Sequence, residues 1–117
     1  MSYVDGFVIA VPKHFAEAYA GVAQRAGAVW MEYGALSYFE CAADDLAYGE
    51  KTSFPRAVQA KDDETIFLSW IVYPSREARD EINKKVMNDP RLKREMENMP
   101  VDMSRMVYGG FRPVAEY

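Results

Sequence analysis

From Glu64 to Tyr73 the chain reads Glu-Thr-Ile-Phe-Leu-Ser-Trp-Ile-Val-Tyr, apolar almost without interruption. A half-exposed strand alternates apolar and polar positions, whereas a run that is β-branched and aromatic at both parities predicts a strand buried on both sides. One parity holds Ile66, Leu68, Trp70 and Val72. The other holds Phe67, Ile71 and Tyr73. The rest of the chain must therefore supply two covers for this strand.

The flanking pattern predicts where one cover comes from. Tyr3 to Val11 is rich in β-formers and ends at Pro12, which predicts a first strand. Lys13 to Tyr33 follows with Phe15, Tyr19, Val22, Ala26, Val29 or Trp30, and Tyr33 at helical spacing. This helix is alanine-rich, weakened at Gly27 and stopped at Gly34. Ala35 to Ala43 predicts a second strand, and Asp44 to Ser53 a loop. Phe54 to Ala60 reads as a short extra edge strand, because Pro55 bars a central one. Lys61-Asp62-Asp63 turns into the central strand. Pro74 ends it and Ser75 caps a second helix, with Ala78, Ile82 and Val86 inward. Asp89-Pro90 restarts a short helix from Arg91 to about Glu97. Arg105 to Val114 is the last strand, and Gly109-Gly110 within it marks a bulge or a close approach.

The order is β-α-β-β-α-β with an insertion between strands two and three. This predicts a ferredoxin-like α+β fold in one domain, residues 1–117. Two helices cover one face of the sheet. A second copy of the chain is the simplest cover for the other, which predicts a homodimer built as a dimeric α+β barrel.

Composition narrows the partners. The net charge of −4 repels phosphate backbones and no Lys/Arg-rich run offsets it, which argues against nucleic acid. No apolar run is long enough to span a bilayer, so no membrane partner is expected. The N-terminus lacks the layout of a signal peptide, and one cysteine, Cys41, excludes an internal disulfide. The expectation is a soluble cytoplasmic protein.

Several segments together resemble the YbaA-like family of small bacterial proteins. They are Tyr3-Val4-Asp5-Gly6-Phe7-Val8, Thr52-Ser53-Phe54-Pro55-Arg56-Ala57-Val58, Phe67-Leu68-Ser69-Trp70-Ile71-Val72-Tyr73, Lys85-Val86-Met87-Asn88-Asp89-Pro90-Arg91 and Met106-Val107-Tyr108-Gly109-Gly110-Phe111. The resemblance spans nearly the whole chain. It implies a dimeric α+β barrel and no activity, since that family has no known function.

Candidate chemistry is sparse. With strands one and three as a central pair, and strands two and four running opposite to both, Asp5 lies beside Arg112. Glu40 then lies two strands away, about 10 Å. Two readings follow. Either Asp5 and Arg112 form a structural ion pair with Glu40 exposed at the rim, or they frame a polar site whose carboxylate accepts a proton. His14, the only histidine, sits at the start of the first helix as a surface residue or a base at a cleft edge. Trp30, Tyr33, Tyr38, Trp70, Tyr73, Tyr108 and Phe111, with Ser69 and Arg112, form either a ligand pocket or core and dimer interface. One histidine and one cysteine cannot build the usual nitrogen and sulfur shells, so no metal is expected; no cofactor is expected either. The pattern points to a small-molecule-binding module for a hydrophobic ligand. The alternative is a cofactor-free enzyme, monooxygenase- or isomerase-like, acting on a small hydrophobic or aromatic compound with Asp5, Glu40 or His14 as base. A structural dimer that docks a protein partner is the third.

Overall fold

The computed structural model describes residues 1–117. Strand β1 (Tyr3–Pro12) leads through a 3-10 turn (Lys13–Phe15) into α1 (Ala16–Glu32), followed by β2 (Ser37–Ala42) and a single-turn helix α2 (Phe54–Ala57). Then come β3 (Glu64–Tyr73), α3 (Arg76–Met87), α4 (Pro90–Met96), a second 3-10 turn (Met103–Arg105) and β4 (Val107–Phe111). The sheet order is β2-β3-β1-β4, and every neighbouring pair is antiparallel.

Local chemistry accounts for the boundaries. α1 closes at Gly34, which takes a left-handed φ of +114° while its N–H and that of Ala35 bond back to the last helical carbonyls. The Ser75 hydroxyl accepts from the Ala78 N–H at 3.0 Å, and the Asp89 carboxylate accepts from the Arg91 N–H at 2.8 Å. These are the caps of α3 and α4.

Three expectations are corrected. Phe54 to Ala60 is not an edge strand. Ser53 accepts from the Arg56 N–H at 3.1 Å and Pro55 occupies the first turn, a combination that starts a helix. The last strand is shorter than Arg105 to Val114. Arg105 sits in the 3-10 turn, where Glu64 and the Gln59 carbonyl hold its guanidinium. Gly109-Gly110 forms no bulge, since the register with β1 runs through both residues. Gly110 instead marks a close approach, because a Cβ there would collide with the Tyr3 ring.

The third correction concerns direction. β1 and β3 are antiparallel, paired without a break from Tyr3↔Tyr73 to Pro12↔Glu64. The crossover through α1 brings β2 back parallel to β1 with a gap between them, and β3 enters that gap opposed to both. Asp5 therefore opposes Ile71. β4 does run opposite to β1, as expected, but its register sets Asp5 against Gly110, and the exposed Arg112 lies beyond the end of β4 rather than beside Asp5.

The two parities of β3 face different surroundings, as its sequence predicts. Ile71 and Tyr73 pack with Trp30, Val86 and Leu92 under the helices, and Phe67 packs with Ile9, Val11 and Tyr19. On the opposite face Ile66 is covered by Val58 from the segment after α2. The remainder of that face is open. Phe39 and Trp70 stack at 4.8 Å, and Phe39, Leu68, Val107 and Phe111 are all exposed.

Candidate functional site

The sheet and the helices do not close on one another completely. Between the helix-facing side of the sheet and α1, α3 and α4 lies a cavity of about 420 Å³. Alternation along the strands puts Asp5 and Phe7 of β1, Tyr38 and Glu40 of β2, and Ser69 and Ile71 of β3 on its floor. Tyr19 and Trp30 of α1 form one wall. Met87, Met96, Met99, Met103 and Met106 form much of the rest, five of the seven methionines in the chain. Unbranched thioethers adapt to irregular apolar shapes.

Glu40 is the functional group with spare capacity. It opposes Ser69 across the β2–β3 ladder, and Tyr38 lies on the same face two residues earlier. The Tyr38 hydroxyl donates to Glu40 Oε1 at 3.3 Å. Oε2 is shielded from solvent and makes no hydrogen bond within the protein. Burial pushes the Glu40 carboxyl up to about 6, against the pull of the Tyr38, Ser69 and Tyr19 hydroxyls, which favour the anion. In turn, burial and the Glu40 charge push the Tyr19 and Tyr38 phenols well above their ordinary range, so both remain neutral donors at any physiological pH. The position of Tyr38 is fixed by packing. Its ring lies over Gly27, where a Cβ would come within 2.6 Å of it, and tilts against Trp30 at 5.8 Å.

The second polar group is closed upon itself. The buried Asp5 carboxylate accepts from Arg79 Nη1 at 2.8 Å and from Asn83 Nδ2 at 3.3 Å. Asn83 Oδ1 accepts from Trp30 Nε1 and from the Tyr73 hydroxyl, each at 3.0 Å. Arg79 also donates to Asp80 at 2.9 Å and lies over the Tyr3 ring. Burial, then the Asp5 charge, push the Tyr73 phenol up. A buried carboxylate so fully partnered fixes α3 on the sheet.

The cavity gathers Asp5, Glu40, Trp30, Tyr38, Ser69 and Tyr108 from the residues the sequence singled out. Glu40 is on the helix-facing side rather than exposed at the rim. The others lie elsewhere. Tyr73 is wholly buried behind the cavity, and Trp70 and Phe111 are on the open sheet face. His14 is exposed in the first 3-10 turn, and Tyr33 donates to Asp89 at 2.7 Å. Tyr19, Arg79, Asn83 and the methionines were missed. Arg79 and Asn83 are four apart on α3, beside the inward Ala78 and Ile82, which places them on the sheet-facing side. The crowding of methionine after Met87 was the other readable signal.

No group of three or more His, Cys, Asp or Glu side chains is placed to hold a metal ion, and no helix is long and apolar enough to cross a membrane.

Residues 2–103 match the family described as "Protein of unknown function (DUF1428)". The chain is 47% identical over 116 residues to the uncharacterized protein YbaA of Escherichia coli strain K12, covering 99% of each chain. Among solved structures it resembles a dimeric ferredoxin-like protein from an uncultured marine organism, with TM-score 0.61 and 9% identity over 100% of this chain and 98% of that one. It also resembles a variant of SnoaB, a cofactor-independent oxygenase from Streptomyces nogalater, with TM-score 0.56 and 12% identity over 98% and 93%. At these identities the structural likenesses establish the fold alone, a ferredoxin-like α+β arrangement.

Proposed function

Because this chain belongs to the DUF1428 family of proteins of unknown function, we propose its role from its own cavity: it is a module that binds a small hydrophobic, ring-containing molecule between sheet and helices. The observation that carries this reading is a cavity of about 420 Å³ lined by methionine and aromatic side chains with a few polar groups on its floor. That is the usual composition of a small-molecule site. Tyr19, Trp30 and Tyr38 offer faces for a ring, and the methionines adapt to its outline.

The working unit in this reading is a homodimer joined through the open sheet faces. Phe39, Leu68, Trp70, Val107 and Phe111 make that face apolar, and a solved neighbour of the same fold is described as dimeric. Contiguous apolar surface of this kind is rare on monomers. A cytoplasmic location belongs to the same proposal, supported by the single free thiol of Cys41.

A second reading is turnover without a cofactor. It is favoured by Glu40, whose carboxyl is pushed up to about 6, near the range where a base works at neutral pH. The SnoaB neighbour is described as a cofactor-independent oxygenase, and that description is its own.

The test is solution mass by light scattering, followed by melting of the same sample against a panel of small aromatic and aliphatic metabolites. A ligand at a hundred times its Kd adds about 2.7 kcal/mol, a rise of about 10 °C for a chain of this size. A dimer whose melting rises with one hydrophobic class supports the proposal. A monomer contradicts the dimer, and a melting point unmoved by every compound contradicts the binding module.

A further inference from the structure

Resting on the binding reading above, we infer that Glu40 anchors the ligand: Oε2 accepts a hydrogen bond from an uncharged O–H or N–H on an otherwise apolar ring compound, of the class of phenols, enols and aromatic N–H heterocycles.

Donors and acceptors around the cavity can be counted one by one. Most of the donors are already spent inside the protein. Arg79 serves Asp5 and Asp80, the Asn83 amide serves Asp5, and the Trp30 indole N–H serves Asn83. The Tyr38 hydroxyl serves Glu40 Oε1, and the Tyr19 and Ser69 hydroxyls lie near enough to the same carboxylate to favour its anion. The acceptor left over is Oε2, shielded from solvent and making no hydrogen bond within the protein. A buried anionic oxygen without a partner is costly, so a ligand that brings a donor relieves the cost while its apolar body fills the methionine-lined space. A cation would satisfy Oε2 as well. It would have to shed its water among thioethers and rings, where an uncharged donor does not.

The charged and titratable groups facing Glu40 are few. Tyr19 faces it from α1, Tyr38 from its own strand and Ser69 from β3. Asp5 on β1 and Arg79 on α3 also line the cavity but are paired with each other. Donor preference should therefore follow the ionisation of Glu40 alone.

The experiment measures Kd by equilibrium dialysis for 2-naphthol and for 2-methoxynaphthalene, which has the same ring system without the donor. Wild type at about pH 7.5 should bind 2-naphthol about tenfold or more tightly than the ether. In Glu40→Gln the preference should fall to about threefold or less, because the amide turns a donor toward the ligand. In wild type the preference should shrink in the same way at about pH 5, where Glu40 is protonated. This arm needs no variant. Equal binding of both probes by wild type overturns the anchor and leaves the cavity as a binding site. A preference unchanged in Glu40→Gln, or unchanged at low pH, also overturns it. If neither probe binds at all, the binding reading falls and the anchor with it.

Discussion

Replacing Glu40 by glutamine should make the folded protein more stable, and only above a definite pH. Burial pushes the Glu40 carboxyl from an ordinary 4.5 up to about 6, so the fold favours its protonated form. A carboxyl raised in the folded state gives its full contribution below the ordinary value and loses it as pH rises through about 6. At about 1.4 kcal/mol for each pH unit between those two values, the loss by neutral pH is about 2 kcal/mol. Because Glu40 is only partly buried, about 1–2 kcal/mol is the better figure. Glutamine has nearly the same shape, keeps an acceptor for the Tyr38 hydroxyl and never ionises. The difference between variant and wild type should be close to zero below about pH 4 and grow to about 1–2 kcal/mol in favour of the variant by about pH 7.5. Urea unfolding at fixed protein concentration across that range measures it, as a midpoint difference of about 1 M at the upper end with unchanged slope. All other titrating groups cancel in the comparison. A difference that does not vary with pH, or a variant weaker than wild type at the upper end, would refute the reasoning. An ionised, half-satisfied carboxylate that weakens its own fold is the kind of feature retained for a ligand.

The remaining predictions concern the frame of the site. Trp70→Glu places a charge on the open sheet face against the stacked Phe39, so light scattering should show monomer in place of the dimer proposed for wild type, with the helical circular dichroism signal kept. Arg79→Ala leaves the buried Asp5 carboxylate with only Asn83, and should cost about 3 kcal/mol in urea unfolding. Gly27→Ala should destabilise in spite of alanine's advantage of about 1 kcal/mol in a helix, because its Cβ would lie within 2.6 Å of the Tyr38 ring. Overpacking of about 1–3 kcal/mol wins, and a raised melting temperature would contradict the contact.

Much of the fold was legible because its strongest signal is local. The almost unbroken apolar run from Glu64 to Tyr73 identified the central strand, and its two parities separated correctly into a helix-facing and an open side. Caps at Ser75 and Asp89 and the stop at Gly34 were readable because each is a short-range hydrogen bond or backbone requirement. Strand direction is a different kind of fact. It depends on how the crossover through α1 returns the chain, and β3 was read parallel to β1 when it is antiparallel. Register is as hard to read: β4 was set opposite to β1 correctly, but it ends at Phe111 with Gly110 facing Asp5, and the true partner of Asp5, Arg79, comes from a helix 74 residues away. The orientation of Glu40 was hidden for a simpler reason. In β2, Tyr38 and Glu40 share one parity while Phe39 and Cys41 share the other, and the second set is at least as apolar as the first. Only packing against Gly27 and Trp30 decides that Tyr38, and Glu40 with it, turns toward the helices. The α2 turn was lost to the aromatic and β-branched look of Phe54 to Ala60, where Ser53 and Pro55 were the better guide.

The central claim is that ligands enter the cavity between sheet and helices, and the methionine methyl groups report on it directly. With methyl-13C methionine incorporated, the chain gives seven signals, five from residues lining the cavity and two, Met1 and Met31, from outside it. Titration with 2-naphthol should move the signals of Met87, Met96, Met99, Met103 and Met106 and leave those of Met1 and Met31 in place. Shifts confined to Met1 or Met31, or none at concentrations where dialysis shows binding, would place the ligand elsewhere and contradict the account.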